Sequence, residues 1–122
     1  MKPPHKPQHG LSHAWHAAGI ALQGLRSAFK HENAFRQEVI VALLAIPVAL
    51  FMPADTTGKA LMVGSILLVL IVELLNSALE SAVDHTSLER HPLAKRAKDI
   101  ASAAVFLSIV NAIAVWLLIL LA

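Results

Sequence analysis

Residues 100–122, the last 23 of the chain, carry no charged side chain, and this run constrains the fold more than any other feature. A helix of that length reaches the roughly 20 residues needed to cross the hydrocarbon of a bilayer. Two earlier apolar runs predict further spans over about 34–54 and 58–84; Pro47 inside the first is tolerable because neighbouring helices can satisfy the carbonyl it frees. The chain is 57% hydrophobic and 15% charged, so much of its surface must meet lipid. The sequence predicts an all-α membrane protein with three transmembrane helices.

The region before the first span divides into a tail and an amphipathic helix. Residues 1–10 contain three prolines, two lysines and two histidines without an apolar core, which predicts a flexible tail. Residues 11–31 then carry an apolar line with basic side chains elsewhere on the wheel, a pattern typical of a helix lying in the membrane interface. The apolar line consists of Leu11, Trp15, Ala18, Leu22, Leu25 and Phe29. Residues 11–122 are therefore expected to form a single integral-membrane domain.

The distribution of basic residues predicts the topology. Lysine and arginine are frequent before the first span and over 85–99, which we expect to be a loop, whereas the turn at 53–59 is nearly neutral. The positive-inside rule then puts the amino terminus and the 85–99 segment in the cytoplasm and the carboxyl terminus outside. The absence of cysteine excludes thiol chemistry, and no motif that reads duplex nucleic acid is present.

The second span ends in an acidic stripe. At 3.6 residues per turn its polar side chains share one face of the helix, and carboxylates at membrane depth usually mark a functional pathway. Pairing with cations or a position among lipid headgroups is the alternative, and it is most plausible for Asp84. The stripe consists of Glu73, Asn76, Ser77, Glu80 and Asp84.

These residue types suit phosphoryl transfer at the cytoplasmic boundary. A carboxylate partly removed from water is a stronger base, so Glu73 is a candidate to accept a proton from a lipid hydroxyl. Glu80 and Glu32 could bind Mg²⁺, and Lys98 could contact phosphate oxygens. Neither a Walker-type loop nor the glycine-rich loop of protein kinases is present, so a nucleotide site would be unconventional. The polar segment at 31–38, taken alone, could equally be a charged flank at the membrane boundary.

Three sequence blocks resemble a known family. These are H-E-N-A-F-R-Q-E at 31–38, V-E-L-L-N-S-A-L-E-S-A-V-D at 72–84 and R-A-K-D-I-A-S-A-A-V at 96–105. They resemble the signature blocks of the small bacterial membrane-integral diacylglycerol kinases, over about residues 14–118 without a gap. The resemblance implies a homotrimer of three-span subunits with shared active sites, each subunit carrying an amino-terminal surface helix. It also implies transfer of the ATP γ-phosphate to diacylglycerol with Mg²⁺, giving phosphatidic acid for phospholipid recycling at the bacterial cytoplasmic (inner) membrane.

The resemblance also implies roles for individual residues. Glu73 matches the catalytic base, Asn76 an essential polar residue of the active site, and Glu32 and Glu80 the carboxylates that hold the metal with ATP. Positions that match nucleotide contacts, besides Glu32 and Glu80, are Glu89, His91, Lys98 and Asp99. Positions that match the path of the lipid substrate, besides Glu73, are Ala34, Phe35, Arg36, Gln37, Glu38, Ser102 and Trp116. His13 and Ile20 stand where the best-known members have an arginine and a tyrosine, so those two contacts are not carried over.

Two other functions stay open at this point. Undecaprenol kinases share the same core motifs, although A-F-R-Q-E and N-S-A-L-E-S-A-V-D are more similar to the diacylglycerol branch. A proton-translocating membrane subunit could use Glu73 as its carrier, but it would need one intramembrane carboxylate rather than two acids, an amide and an A-K-D block. A trimer is also physically reasonable, because three thin helices cannot enclose an acidic stripe by themselves.

Overall fold

Four helices account for nearly all of the residues that the structure, a computed structural model, describes: 10–86 and 92–122. The last three are long and apolar enough to cross a membrane, which confirms the expected all-α, three-span fold. The described residues contain no strand. The helices are α1 (Leu11–His31), α2 (Asn33–Phe51), α3 (Thr56–Thr86) and α4 (Pro92–Leu121).

The helix boundaries differ from the sequence-based spans mainly in α4. This helix begins at Pro92 instead of near residue 100, so 92–99 are helical where we expected a loop. Proline is favoured in the first helical position because its missing N–H would have no intrahelical partner there. Lys95 and Asp99 also pair across one turn at 2.7 Å, which supports the helix. At the other end of the first span, α2 stops at Phe51, short of the predicted residue 54, because Pro53 disfavours helical backbone in the residue before it.

A single extended residue, Glu32, joins α1 to α2 (φ −110°, ψ 108°). Arg36, in the first turn of α2, donates hydrogen bonds to the carbonyls of Phe29 (3.1 Å) and Lys30 (3.2 Å) and to the Asn33 side chain (3.2 Å). The two carbonyls belong to the last turn of α1, which has no helical donors left for them. Arg36 therefore caps one helix from the next and holds the angle between them.

The start of α3 is defined by Asp55. Its Oδ1 accepts a hydrogen bond of 2.7 Å from the backbone N–H of Gly58, the geometry of an N-cap. A Cβ on Gly58 would lie 3.1 Å from both this oxygen and Cγ2 of Ile119, so a larger residue would crowd the cap and α4. Thus α2 turns back into α3 through a short connection.

Helix α3 lies between α2 and α4 and makes most of the tertiary contacts of the chain. On α2 the buried residues are Phe35, Ala42 and Ala49, which are seven positions apart and therefore lie on one face of the helix. Against α4, Met62 is fully buried. Next to it, the indole N–H of Trp116 is shared between the Met62 carbonyl and the Ser65 hydroxyl, each at 3.2 Å.

The outer surfaces of these helices are apolar and exposed. No residue of α1 is buried, and large side chains such as Leu43, Leu68 and Leu118 remain exposed within the single chain. In a membrane protein such side chains face lipid or another subunit, so the core of one chain is small.

Candidate active site

The acidic face of α3 points toward the rest of the molecule. Glu73 and Ser77 are buried, with 5% and 7% of their surfaces exposed, and Asn76 and Glu80 are half-buried. The Asn76 amide donates to Oε1 of Glu80 at 3.4 Å and also interacts with the Glu73 carboxylate. It therefore connects two acids that lie seven residues, or about 10 Å, apart along the helix.

Carboxylates from other segments converge on Glu73. The Glu73 carboxylate is repelled by the carboxylates of Glu80 on the same helix and of Glu32 between α1 and α2. It also repels the carboxylate of Glu38 on α2. Oε2 of Glu38 and Oδ1 of Asn76 are buried without a hydrogen-bond partner within the described residues. Buried like charges and orphaned oxygens are costly unless a cation or a donor joins them. The structure thus brings Glu32, Glu38, Asn76 and Glu80 together around Glu73, and all five members of this acidic cluster are among the candidate positions named from the sequence.

A cleft of about 660 Å³ opens between α1 and α3 beside this cluster. Glu32 and Ser77 line it at the end nearest Glu73, and Ser81 lines it one turn further along α3. On the α1 side the cleft is lined mainly by small residues, which leave space between the helices: Ala21, Gly24, Ser27 and Ala28. These residues were not predicted to line a site. Their spacing of three and four along α1 is the signal that could have identified them.

The predicted phosphate-binding side chains lie at the ends of α3 and α4. Lys98 forms an ion pair of 2.6 Å with Asp84, which joins the two helices, and is only 22% exposed. Asp99 is exposed and paired with Lys95. Asp84, for which pairing with a cation was the main alternative, therefore does pair with one. Glu89 and His91 lie outside the described residues.

The residues predicted along the lipid path are more scattered. Phe35 is buried, and Arg36 is engaged in capping α1. Trp116 bonds to α3 at residues 62 and 65, which are 8 to 11 positions, or roughly 12 to 16 Å, from Glu73 along the helix. The structure does not bring it to the acidic cluster. The remaining three residues are exposed: Ala34, Gln37 and Ser102.

The acidic cluster is compatible with a metal ion whose coordination shell is completed by water and substrate. Within 10–86 and 92–122, no three histidine, aspartate or glutamate side chains are arranged to hold an ion. Mg²⁺ usually binds one or two protein carboxylates and completes its shell with water and substrate phosphates. The half-buried Glu32 and Glu80 and the orphaned Asn76 oxygen meet that requirement.

Comparison with known proteins assigns the chain to a family. Residues 19–120 match the family described as prokaryotic diacylglycerol kinase. A diacylglycerol kinase of Pseudomonas aeruginosa is 48% identical over 118 residues, covering 97% of this chain and 96% of the relative. Those of Haemophilus influenzae and Escherichia coli are 46% and 43% identical, over 88% and 91% of this chain and 91% of each relative. The relatives are bacterial, and with its three apolar helices this is a bacterial membrane protein. The resemblance noted in the sequence is confirmed: the chain belongs to the prokaryotic diacylglycerol kinase family.

Proposed function

We propose that this protein is an ATP-dependent diacylglycerol kinase, which transfers the γ-phosphate of ATP to the free hydroxyl of diacylglycerol and releases phosphatidic acid and ADP. The observation that carries the proposal is the buried Glu73, with acids from three chain segments around it and an open cleft beside it. Family membership supports the same activity.

In this proposal Glu73 is the general base. Its carboxylate accepts the proton of the lipid hydroxyl, whose oxygen forms a bond to the γ-phosphorus as the bond to the β–γ bridging oxygen breaks. Burial leaves Glu73 poorly solvated and shielded from bulk water, which favours proton transfer from the substrate over hydrolysis. Asn76, held between Glu73 and Glu80, orients both carboxylates.

Glu32 and Glu80 are the residues that would hold Mg²⁺ together with the ATP phosphates. The bound ion would supply positive charge that offsets both the phosphate oxygens and the neighbouring carboxylates. Its arrival would also relieve the repulsion that Glu73 experiences from these two acids.

Lys98 and Asp99 contribute to nucleotide binding in this proposal, with Glu89 and His91. The Lys98 ammonium lies at the same end of the bundle as the acidic cluster and already neutralises Asp84. A phosphate oxygen can take over that ion pair, because the Asp84 side chain is 52% exposed and can be solvated by water instead. The lipid contacts are assigned to 34–38, Glu73, Ser102 and Trp116.

A homotrimer with shared active sites fits the exposed surface of α3. One line of this helix is exposed from end to end, with alternating spacings of three and four that are typical of helix–helix seams. Gly64 lies on this line, and the space beside it is open, which permits close approach of a second helix. The line consists of Leu61, Gly64, Leu68, Ile71, Leu75 and Ala78.

We place the active site at the cytoplasmic face of the bacterial inner membrane. The basic residues over 92–98 and in α1 lie at the end of the bundle that carries the acidic cluster, whereas the turn between α2 and α3 is nearly neutral. The positive-inside rule supports a cytoplasmic amino terminus and an external carboxyl terminus.

The test is lipid phosphorylation by the purified protein in bilayers with Mg²⁺ and γ-labelled ATP, offering diacylglycerol and undecaprenol separately. We expect label in phosphatidic acid, its loss on chelation of the metal, and a decrease of roughly 10²- to 10⁴-fold in Glu73→Gln, the range of general-base catalysis. Circular dichroism of Glu73→Gln should show intact helices. Label only in the polyprenol would move the substrate to undecaprenol, and label in neither lipid would refute the kinase assignment.

A further inference from the structure

A polar side chain lies on the outer surface of α4 at mid-membrane depth. Asn111 is exposed, and its amide makes no hydrogen bond within the described part of the chain. Its neighbours Ile109 and Ala112 line a groove halfway along α3, beside Val69. An amide at that depth meets no water, so it is stable there only if another helix supplies a partner.

Helix α2 contains a backbone carbonyl that lacks a hydrogen-bond donor. Pro47 has no backbone N–H, so the carbonyl of Leu43 lacks its normal partner one turn along the helix. Pro47 is exposed, and Leu43 has 70% of its surface exposed, so this acceptor also lies on an outer face. Membrane helices tolerate proline where a neighbouring helix satisfies the freed group.

The two groups lie on opposite edges of the chain. Glu38 and Val41 of α2 face Ile109 and Ile113 of α4 across the same groove. At about 100° per residue, Leu43 lies roughly 140 to 160° around α2 from that groove-lining pair. Asn111 lies about 160° around α4 from Ile109 and Ile113 and about 100° from Ala112. The donor and the acceptor therefore point away from each other within one chain, toward whatever adjoins its two edges.

Their depths in the membrane are similar. The groove is lined by Glu38 and Val41 on α2 and by Ile109 and Ile113 on α4, so Leu43 is three to four residues, or roughly 5 Å, further along α2 than the level of Asn111. Since α2 and α4 run in the same direction, two copies side by side in one bilayer keep this correspondence. A difference of about one turn is within the combined reach of an asparagine side chain and a hydrogen bond.

We propose that the α4 edge of one copy packs against the α2 edge of the next, with the Asn111 amide donating a hydrogen bond to the Leu43 carbonyl. A second copy is the natural occupant, because one edge offers the donor that the other edge lacks. The contact is head-to-tail, so repeating it closes a ring where the rotation between copies permits, and the exposed line of α3 is then free to face the ring interior. This inference rests on the oligomer in the proposed function but not on its catalytic chemistry.

Cysteine cross-linking in bilayers tests the contact directly, because the chain contains no cysteine of its own. We expect Leu43→Cys and Asn111→Cys chains, mixed and treated with a lipid-permeant oxidant, to form a covalent dimer that neither forms alone. Both changes in one chain should give a ladder of higher species. The matched control uses Ile113→Cys, on the groove face of α4, in place of Asn111→Cys. This control should not cross-link with Leu43→Cys.

Each other outcome overturns the contact. A dimer from Asn111→Cys alone would mean that two α4 helices face each other. Cross-linking of the Ile113→Cys control as strongly as the test pair would mean that the edge is not specific. Oligomers seen with a lysine-reactive cross-linker but no cysteine product would refute these edges and leave the oligomer intact. Monomers with both reagents would refute the oligomer itself, and neither result depends on turnover.

Dissociation of the oligomer in micelles provides a second test that does not need cysteines. Asn111→Val removes the donor, and Pro47→Ala restores the helical N–H that satisfies the Leu43 carbonyl. Each should raise the dissociation constant roughly 3- to 20-fold, the range for interhelical hydrogen bonds in membranes. The double variant should be little weaker than either single variant, because both remove the same bond. Additive effects, or no effect of Asn111→Val, would overturn the proposal.

Discussion

The hydrogen bonds of Trp116 lead to a measurable stability change. In Trp116→Phe most of the ring volume stays, but the N–H that Met62 and Ser65 share is lost. Interhelical hydrogen bonds in membranes contribute about 0.6 to 1.7 kcal/mol to stability. The indole proton is shared between two acceptors, so we count it as one hydrogen bond. The Met62 carbonyl keeps a donor in this variant, because the Ser65 hydroxyl still donates to it at 2.7 Å. We therefore expect the free energy of unfolding to fall by about 1 kcal/mol.

Reversible unfolding in mixed micelles, with SDS as denaturant and far-UV circular dichroism as the signal, measures this change. Trp15→Phe is the matched control, because the same substitution is made on α1 at a side chain that is 76% exposed. We expect its free energy of unfolding to equal that of the parent within error. The comparison removes any general effect of replacing an indole by a phenyl ring.

Equal unfolding free energies for Trp116→Phe and Trp15→Phe would refute the packing role. The family resemblance predicts instead that Trp116 lines the lipid path. A higher KM for diacylglycerol with unchanged stability would favour that role, whereas lower stability with unchanged KM would assign the side chain to the contact between α3 and α4.

Three further predictions concern caps, packing and nucleotide binding. Asp55→Ala removes the N-cap of α3 and should lower the free energy of unfolding by about 0.5 to 2 kcal/mol in the same SDS titration, whereas Asp55→Ser, which keeps an acceptor oxygen, should recover most of it. Ala49→Leu inserts a larger side chain at a fully buried position between α2 and α3 and should lower the free energy of unfolding by about 1 to 3 kcal/mol. The control is Ala103→Leu on an exposed face, and equal effects of the two substitutions would contradict the packing described. Lys98→Met should raise the KM for ATP roughly 10- to 100-fold, the loss expected for a charged hydrogen bond, without changing the KM for diacylglycerol; equal rises in both constants would argue for a structural role of the ion pair with Asp84.

The spans and the surface helix could be predicted because they depend on properties carried by the sequence itself. The lengths of the apolar runs are set by bilayer thickness, and the helical period of α1 follows from backbone geometry. The grouping of Glu73, Asn76 and Glu80 was predictable for the same reason, since all three lie on one helix. The helix over 92–99 was not predicted because its high charge density is typical of a loop, although Pro92 in the first turn and the spacing of Lys95 and Asp99 both favour a helix.

Features that depend on contacts between helices could not be predicted in this way. Nothing local indicates that Arg36 would reach back to the carbonyls of Phe29 and Lys30, or that Trp116 would bond to α3. The arrival of Glu38 beside Glu73 likewise requires the packing of α2 on α3. These contacts join residues far apart in the chain, and their geometry is set by side-chain volumes at the interfaces.

The one-residue joint at Glu32 makes α1 a lever some 30 Å long, pivoted on two backbone dihedrals. Because Glu32 is itself the joint and α1 forms one wall of the cleft against α3, a change in the angle of α1 would alter the cleft width and the position of the Glu32 carboxylate together. The hydrogen bonds from Arg36 to the end of α1 oppose such a movement, because they must break before α1 can change its angle. The width of the cleft and the position of the carboxylate that we propose to bind the metal would in this way be mechanically linked.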